Sequence, residues 1–180
     1  MRRLQLFLLM SLSWMSLHAS ATTISFATVN LTGNLWQYEY TVTNDSLSTA
    51  IDEFTIYFDR DLFSNLAVEA SPAGWDSIVV QPDSGIPADG FFDALALGQG
   101  LAPGATVTGF TVSFQFLGAG SPSAQPFEVV DPTSFSVIDS GATVAQATTG
   151  LPEPGSIALS AIGLSALAFA RKRARRAGRE

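Results

Sequence analysis

WQYEYTVTN, residues 36–44, places Trp36, Tyr38, Tyr40 and Val42 on one side of an extended chain and Gln37, Glu39, Thr41 and Thr43 on the other. Successive side chains of a strand point to opposite faces, so a period of two with aromatics on one side marks a strand half-buried against a core. The same pattern returns twice. FTIYF sets Phe54, Ile56 and Phe58 against Thr55 and Tyr57, and TGFTVSFQF sets Phe110, Val112, Phe114 and Phe116 against Thr111, Ser113 and Gln115, after an Ala-Pro-Gly turn at 102–104.

Weaker alternation marks further strands at 24–29, 65–69, 76–81, 91–95, 127–131 and 135–139. About nine short, one-sided strands, spaced by turn residues and without helical periodicity before Ile157, predict an all-β fold: a single antiparallel β-sandwich over residues 22–140, immunoglobulin-like or carbohydrate-module-like. Residues 141–150 are small and rich in Thr and Ala, and read as a flexible linker.

Charge is distributed unevenly along the 180 residues. Between Thr22 and Gly150 the sole cation is Arg60, against fourteen Asp and Glu, a net charge of 1 − 14 = −13. Such a body repels phosphate backbones, so no nucleic-acid partner is expected. The chain has no Cys, and its one His is His18, so disulfides, Cys/His zinc sites and Ser-His-Asp triads are unavailable to the body.

The cations sit at the ends. Arg2 and Arg3 precede an apolar stretch from Leu4 to about Leu17, with Ala19 and Ala21 fitting an A-x-A cleavage site. Residues 1–21 therefore read as a secretory signal peptide, whose helix would be removed on export. At the other end, Ser156 to Ala170 are uncharged and would span about 22 Å as a helix, against roughly 30 Å of hydrocarbon. A marginal transmembrane helix is expected at 157–170. The basic tail 171–179, with Arg171, Lys172, Arg173, Arg175 and Arg176, would be held in the cytoplasm, leaving the body outside.

Leu151-Pro152-Glu153-Pro154, an apolar helix and a terminal Arg-rich cluster, in that order, resemble the PEP-CTERM sorting signal of exported bacterial proteins. The resemblance covers residues 151–176, with Leu151 standing where Val is commoner. It implies sorting at Pro152, Glu153 and Pro154 by exosortase, a multipass membrane protease or transpeptidase, at the inner membrane. It further implies delivery to the cell envelope or extracellular space, in association with exopolysaccharide and biofilm. The two prolines suit such a role, because they hold Glu153 extended and stop the membrane helix from continuing upward.

In the body, carboxylates are the only candidates for acid–base chemistry. Asp59 and Asp61 flank Arg60, while Asp83, Asp89 and Asp93 surround the turn-rich QPDSGIPADGFFD. Asp59, Asp61, Asp83 and Asp89 are candidate calcium ligands, since Ca²⁺ takes clustered carboxylates and loop carbonyls; no loop carries the D-x-D-x-D-G spacing. Trp75, in the turn Pro72-Ala73-Gly74-Trp75, and Tyr57, which lies opposite Phe54, Ile56 and Phe58, are the candidate glycan contacts. Asn44-Asp45-Ser46 matches a glycosylation sequon but reads as turn chemistry. The expectation is a non-catalytic envelope or matrix protein without an obligatory cofactor, with a carbohydrate-binding module and a carboxylate-based glycan hydrolase as alternatives.

Overall fold

The computed structural model describes residues 22–146. The expected signal peptide, the Pro152-Glu153-Pro154 motif, the expected membrane helix and the basic tail lie outside the described residues.

Each alternating stretch forms a strand: β1 (Thr23–Thr32), β2 (Leu35–Thr43), β3 (Glu53–Phe58), β4 (Phe63–Ala70), β5 (Trp75–Val80), β6 (Gly90–Ala96), β7 (Thr106–Phe116), β8 (Pro126–Asp131), β9 (Ser136–Ala142) and β10 (Val144–Ala145). They make two five-stranded sheets, ordered β10-β1-β2-β7-β4 and β5-β6-β3-β8-β9.

The two apolar faces meet. Register places Tyr40 opposite Phe26 on one side and Phe110 on the other, which gathers aromatic rings in the first sheet. Ile56 lies between Phe92 and Phe127 in the second. Across the interface, Phe54 meets Phe110 edge-on at 5.1 Å, Phe58 meets Phe114 at 5.9 Å, and Tyr40 meets Phe92 at 6.3 Å. Removing each such ring from water contributes roughly 1.5–3 kcal/mol, so a dense aromatic core can stabilise this domain without disulfides.

Two buried polar side chains tie the layers together. Asn44, at the end of β2, donates its amide hydrogens to the carbonyls of Thr49 (2.8 Å) and Leu101 (2.9 Å) and accepts the Leu47 amide at 3.2 Å. This confirms the sequon as turn chemistry, because the side chain is fully buried. Gln125, just before β8, accepts the Tyr40 hydroxyl at 3.1 Å and donates to the Tyr38 hydroxyl and the Ser123 carbonyl.

Two expectations are corrected. Residues 141–145 are not linker: Gly141 and Ala142 finish β9, and Val144–Ala145 form β10 against Ser25 and Phe26. The compact unit accordingly runs to Ala145. Nor is the sandwich wholly antiparallel, because β10 runs parallel to β1. The Thr143 amide donates to the Gln125 carbonyl at 2.8 Å, and this turns the chain from one sheet into the other.

Glycine acts where the backbone needs a left-handed residue. Gly74, at φ 85°, shapes the turn in which the Trp75 amide donates to the Pro72 carbonyl at 3.1 Å. Gly109, at φ 100°, sits where the β2–β7 register shifts between Tyr40 and Thr41. Phe135 is the unusual case: it takes φ 54° in the β8–β9 turn with its side chain 81% exposed. Left-handed backbone favours Gly and Asn, so Phe135→Asn is expected to raise stability by roughly 0.5–1 kcal/mol. A denaturation midpoint in urea checks this, and an unchanged or lowered midpoint would show that the ring makes a compensating contact.

Candidate functional site

Strand alternation buries Phe54, Ile56 and Phe58 of β3 and therefore turns Glu53, Thr55 and Tyr57 to the outer face of the second sheet. Register then assembles that face from its neighbours. Tyr57 pairs with Phe91, and Phe91 with Val80; Thr55 lies between Asp93 and Glu128, with Ile78 beyond Asp93; Glu53 lies between Leu95 and Val130. Ile78 and Val80 are 52% and 42% exposed, while Tyr57 and Phe91 are half-buried. The face mixes apolar platforms with carboxylates.

Hydrogen bonds hold its polar groups in place. The Tyr57 hydroxyl donates to Glu128 Oε2 at 2.7 Å, and the Thr55 hydroxyl donates to Asp93 Oδ1 at 2.7 Å. Burial, reinforced by the bond to Glu128 and the charges of Glu128 and Asp93, pushes the Tyr57 hydroxyl up to about 12. Burial and then the Asp93 charge raise the Glu53 carboxyl above its usual range; burial also raises Asp93, against the opposing effect of the Thr55 bond. Among the described residues the ion pair is Arg60–Asp89, at 3.4 Å, so the carboxylates of the face have no cation.

At the Tyr57 end the face runs into a cleft of about 200 Å³, lined by Tyr57, Asp59, Asp89, Phe116, Gln125 and Pro126 among others. The β3–β4 turn builds one wall. Asp59 accepts the Asp61 amide on Oδ1 at 2.7 Å and, through its carbonyl, the amides of Leu62 (3.1 Å) and Phe63 (2.9 Å). Asp89 Oδ1 accepts both the Arg60 amide (3.1 Å) and its guanidinium.

The structure thus brings three of the predicted residues, Tyr57, Asp59 and Asp89, to one cleft. It does not bring the four aspartates together as a calcium site. Asp61 belongs to the Asp59 turn, Asp83 accepts the Gly85 amide at 2.7 Å in a separate turn, and Asp89 is taken by Arg60. Among the described residues no group of three or more His, Cys, Asp or Glu is placed to hold a metal ion. Trp75 is corrected as well: its ring packs inward, edge-on to Phe110 at 5.3 Å and 5.8 Å from Phe54, as a lid on the core.

Sequence reasoning missed Glu53, Ile78, Val80, Phe91 and Glu128. A signal existed in WDSIVV, where inward Trp75 and Val79 force Asp76, Ile78 and Val80 outward. Apolar residues on both faces of an edge strand ask what the outer ones do.

Fold and face together define a class: an all-β module of two packed sheets with an open outer face. No family model matches the chain, and no curated protein matches it. Among solved structures it is similar to a cohesin module from a family 33 glycoside hydrolase of Clostridium perfringens (TM-score 0.42, 10% identity, 69% of this chain and 96% of that one). It is similar also to a family 3b carbohydrate-binding module from the biomass sensoring system of Clostridium clariflavum (0.40, 11%, 66% and 95%). A third is the chitin-binding domain of Chi18aC from Streptomyces coelicolor (0.36, 27%, 59% and 90%).

Proposed function

We propose that the chain is an exported, non-catalytic β-sandwich protein, sorted through Pro152-Glu153-Pro154 by exosortase at the inner membrane, whose body binds extracellular polysaccharide on the outer face of the second sheet. The observation that carries the binding half is the juxtaposition of Tyr57 and Phe91 with exposed Ile78 and Val80, beside carboxylates that Thr55 and Tyr57 orient. Sugar rings present apolar C–H faces and a rim of hydroxyls, so they need a flat apolar platform edged by fixed acceptors. The sorting half rests on the ordered signal at 151–176 and the export signal at 1–21.

A binding role fits the polar groups better than hydrolysis does. Glycoside hydrolysis requires an acid and a base facing each other across a bound sugar. Here Asp93 and Glu128 are each engaged by a hydroxyl of the same sheet face, and Asp89 by Arg60.

In native gels cast with the host's own exopolysaccharide, the exported protein is expected to be retarded, and Tyr57→Ala to relieve most of that retardation. Mobility indifferent to the polymer would refute the binding half. Sorting is tested separately by intact mass: the exported protein should lack Arg171–Arg179 in wild-type cells and retain them without exosortase. Retention in both strains would make the segment a permanent anchor.

A further inference from the structure

We infer that the polysaccharide taken by this face carries free ammonium groups, as a partly de-N-acetylated amino-sugar polymer does. The inference rests on the polysaccharide-binding reading and adds to it the charge class of the ligand.

Three adjacent strands supply the argument. Glu53 on β3, Asp93 on β6 and Glu128 on β8 share the outer face, and Asp93 and Glu128 flank Thr55 from opposite sides. Two strand spacings separate Asp93 from Glu128 by roughly 10 Å along the sheet. Around them stand Tyr57, Phe91, Leu95, Val130 and Ile78, and beyond the rim the further acid Asp76 of β5. No cation of the body reaches these acids: Arg60 is the one cation between residues 22 and 150, and it pairs with Asp89.

Such a face selects by charge. Half-buried acids crowding one another are relieved by any cation that docks among them, and Glu53 is raised partly by Asp93 for this reason. An acidic glycan would add to the crowding, and a neutral one would leave it unchanged. A polymer of amino sugars brings both the apolar ring faces that suit Tyr57 and Phe91 and the ammonium groups that the acids lack. Charge complementarity on a body of net charge −13 would also steer such a polymer toward the protein at low salt.

The titratable groups of the face are Glu53, Tyr57, Asp76, Asp93 and Glu128. As pH falls, Glu53 and Asp93 take up protons earlier than ordinary carboxylates do, because both are raised. The sugar amines are fully protonated only below neutral pH, so binding should weaken on acidification once the ligand is fully charged and these carboxylates take up protons.

The experiment is calorimetric titration of the exported protein with three matched oligomers: glucosamine, N-acetylglucosamine and a uronic acid. The glucosamine oligomer should bind about tenfold tighter than the acetylated one at low salt, the combined worth of a few exposed ion pairs. The difference should vanish near 1 M salt, where the Debye length is about 3 Å. Glu53→Gln with Glu128→Gln should abolish the preference, and Glu39→Gln, on the outer face of the other sheet, should not. Equal or tighter binding of the acetylated or acidic oligomer overturns this inference but leaves the polysaccharide reading standing. Oligolysine of matched charge binding as tightly as glucosamine overturns it too, since the face would then read charge without sugar. Binding of none of the oligomers, together with unretarded migration in exopolysaccharide gels, removes both.

Discussion

Asn44→Ala is expected to destabilise the domain by about 3 kcal/mol and to lower its melting temperature by on the order of 10 °C. The side chain is buried and satisfies three backbone groups at once: the carbonyls of Thr49 and Leu101 and the amide of Leu47. Truncation removes that partner from all three; the Leu101 carbonyl keeps the Ile51 amide at 2.9 Å, so the cost falls on the Thr49 carbonyl and the Leu47 amide, at about 1–3 kcal/mol for each buried group left unsatisfied. Asn44→Asp should be worse despite its shape, because it turns a carboxylate toward two carbonyl oxygens. The neighbouring backbone bonds, Asn44 amide to Ala105 carbonyl and Gly104 amide to Asn44 carbonyl, explain why the loss would spread to the 101–105 turn. Thermal unfolding followed by circular dichroism decides the matter, and a variant within about 0.5 kcal/mol of wild type would mean that water replaces the amide.

Gln125→Leu is expected to cost about 2–4 kcal/mol, although leucine fills a similar volume. Gln125 is 2% exposed, and its carbonyl oxygen accepts the Tyr40 hydroxyl and the Thr143 hydroxyl (3.3 Å), while its amide group serves Tyr38 and Ser123. Leucine would strand the Tyr40 hydroxyl in the core, whereas Tyr38 would keep its bond to the Ser123 carbonyl at 2.7 Å. Tyr40→Phe should therefore be costly alone and nearly neutral beside Gln125→Leu, a coupling of about 1–2 kcal/mol in a double-mutant cycle by urea unfolding. Strict additivity would show that the two side chains act independently. Since Gln125 also lines the cleft, its loss should loosen the wall that meets Tyr57.

The sandwich was legible because most strands bury one face, and period two survives in the sequence wherever that holds. Phe110, Val112, Phe114 and Phe116 show it plainly, and all four are buried. β10 was not legible: two residues carry no period, and their parallel pairing with Ser25 and Phe26 joins positions more than a hundred residues apart. Gln125 left no trace either, because a polar residue in SPSAQPF looks like any loop glutamine until Tyr38 and Tyr40 arrive from another sheet. Tyr57 was found by alternation alone. Its neighbours Phe91 and Val80 required the register, which sets β6 between β3 and β5. Trp75 misled because a turn position suggests exposure, whereas the turn at Gly74 folds the ring back onto Phe110.

The claim that the outer face of the second sheet is the binding surface is tested most directly by heteronuclear NMR of the exported protein, titrated with its host polysaccharide. Shifts should concentrate at Tyr57, Phe91, Ile78, Val80 and Val130 and spare Glu39, Thr41 and Thr111 on the opposite sheet. Perturbations confined to that opposite face, or none at saturating polymer, would contradict the account.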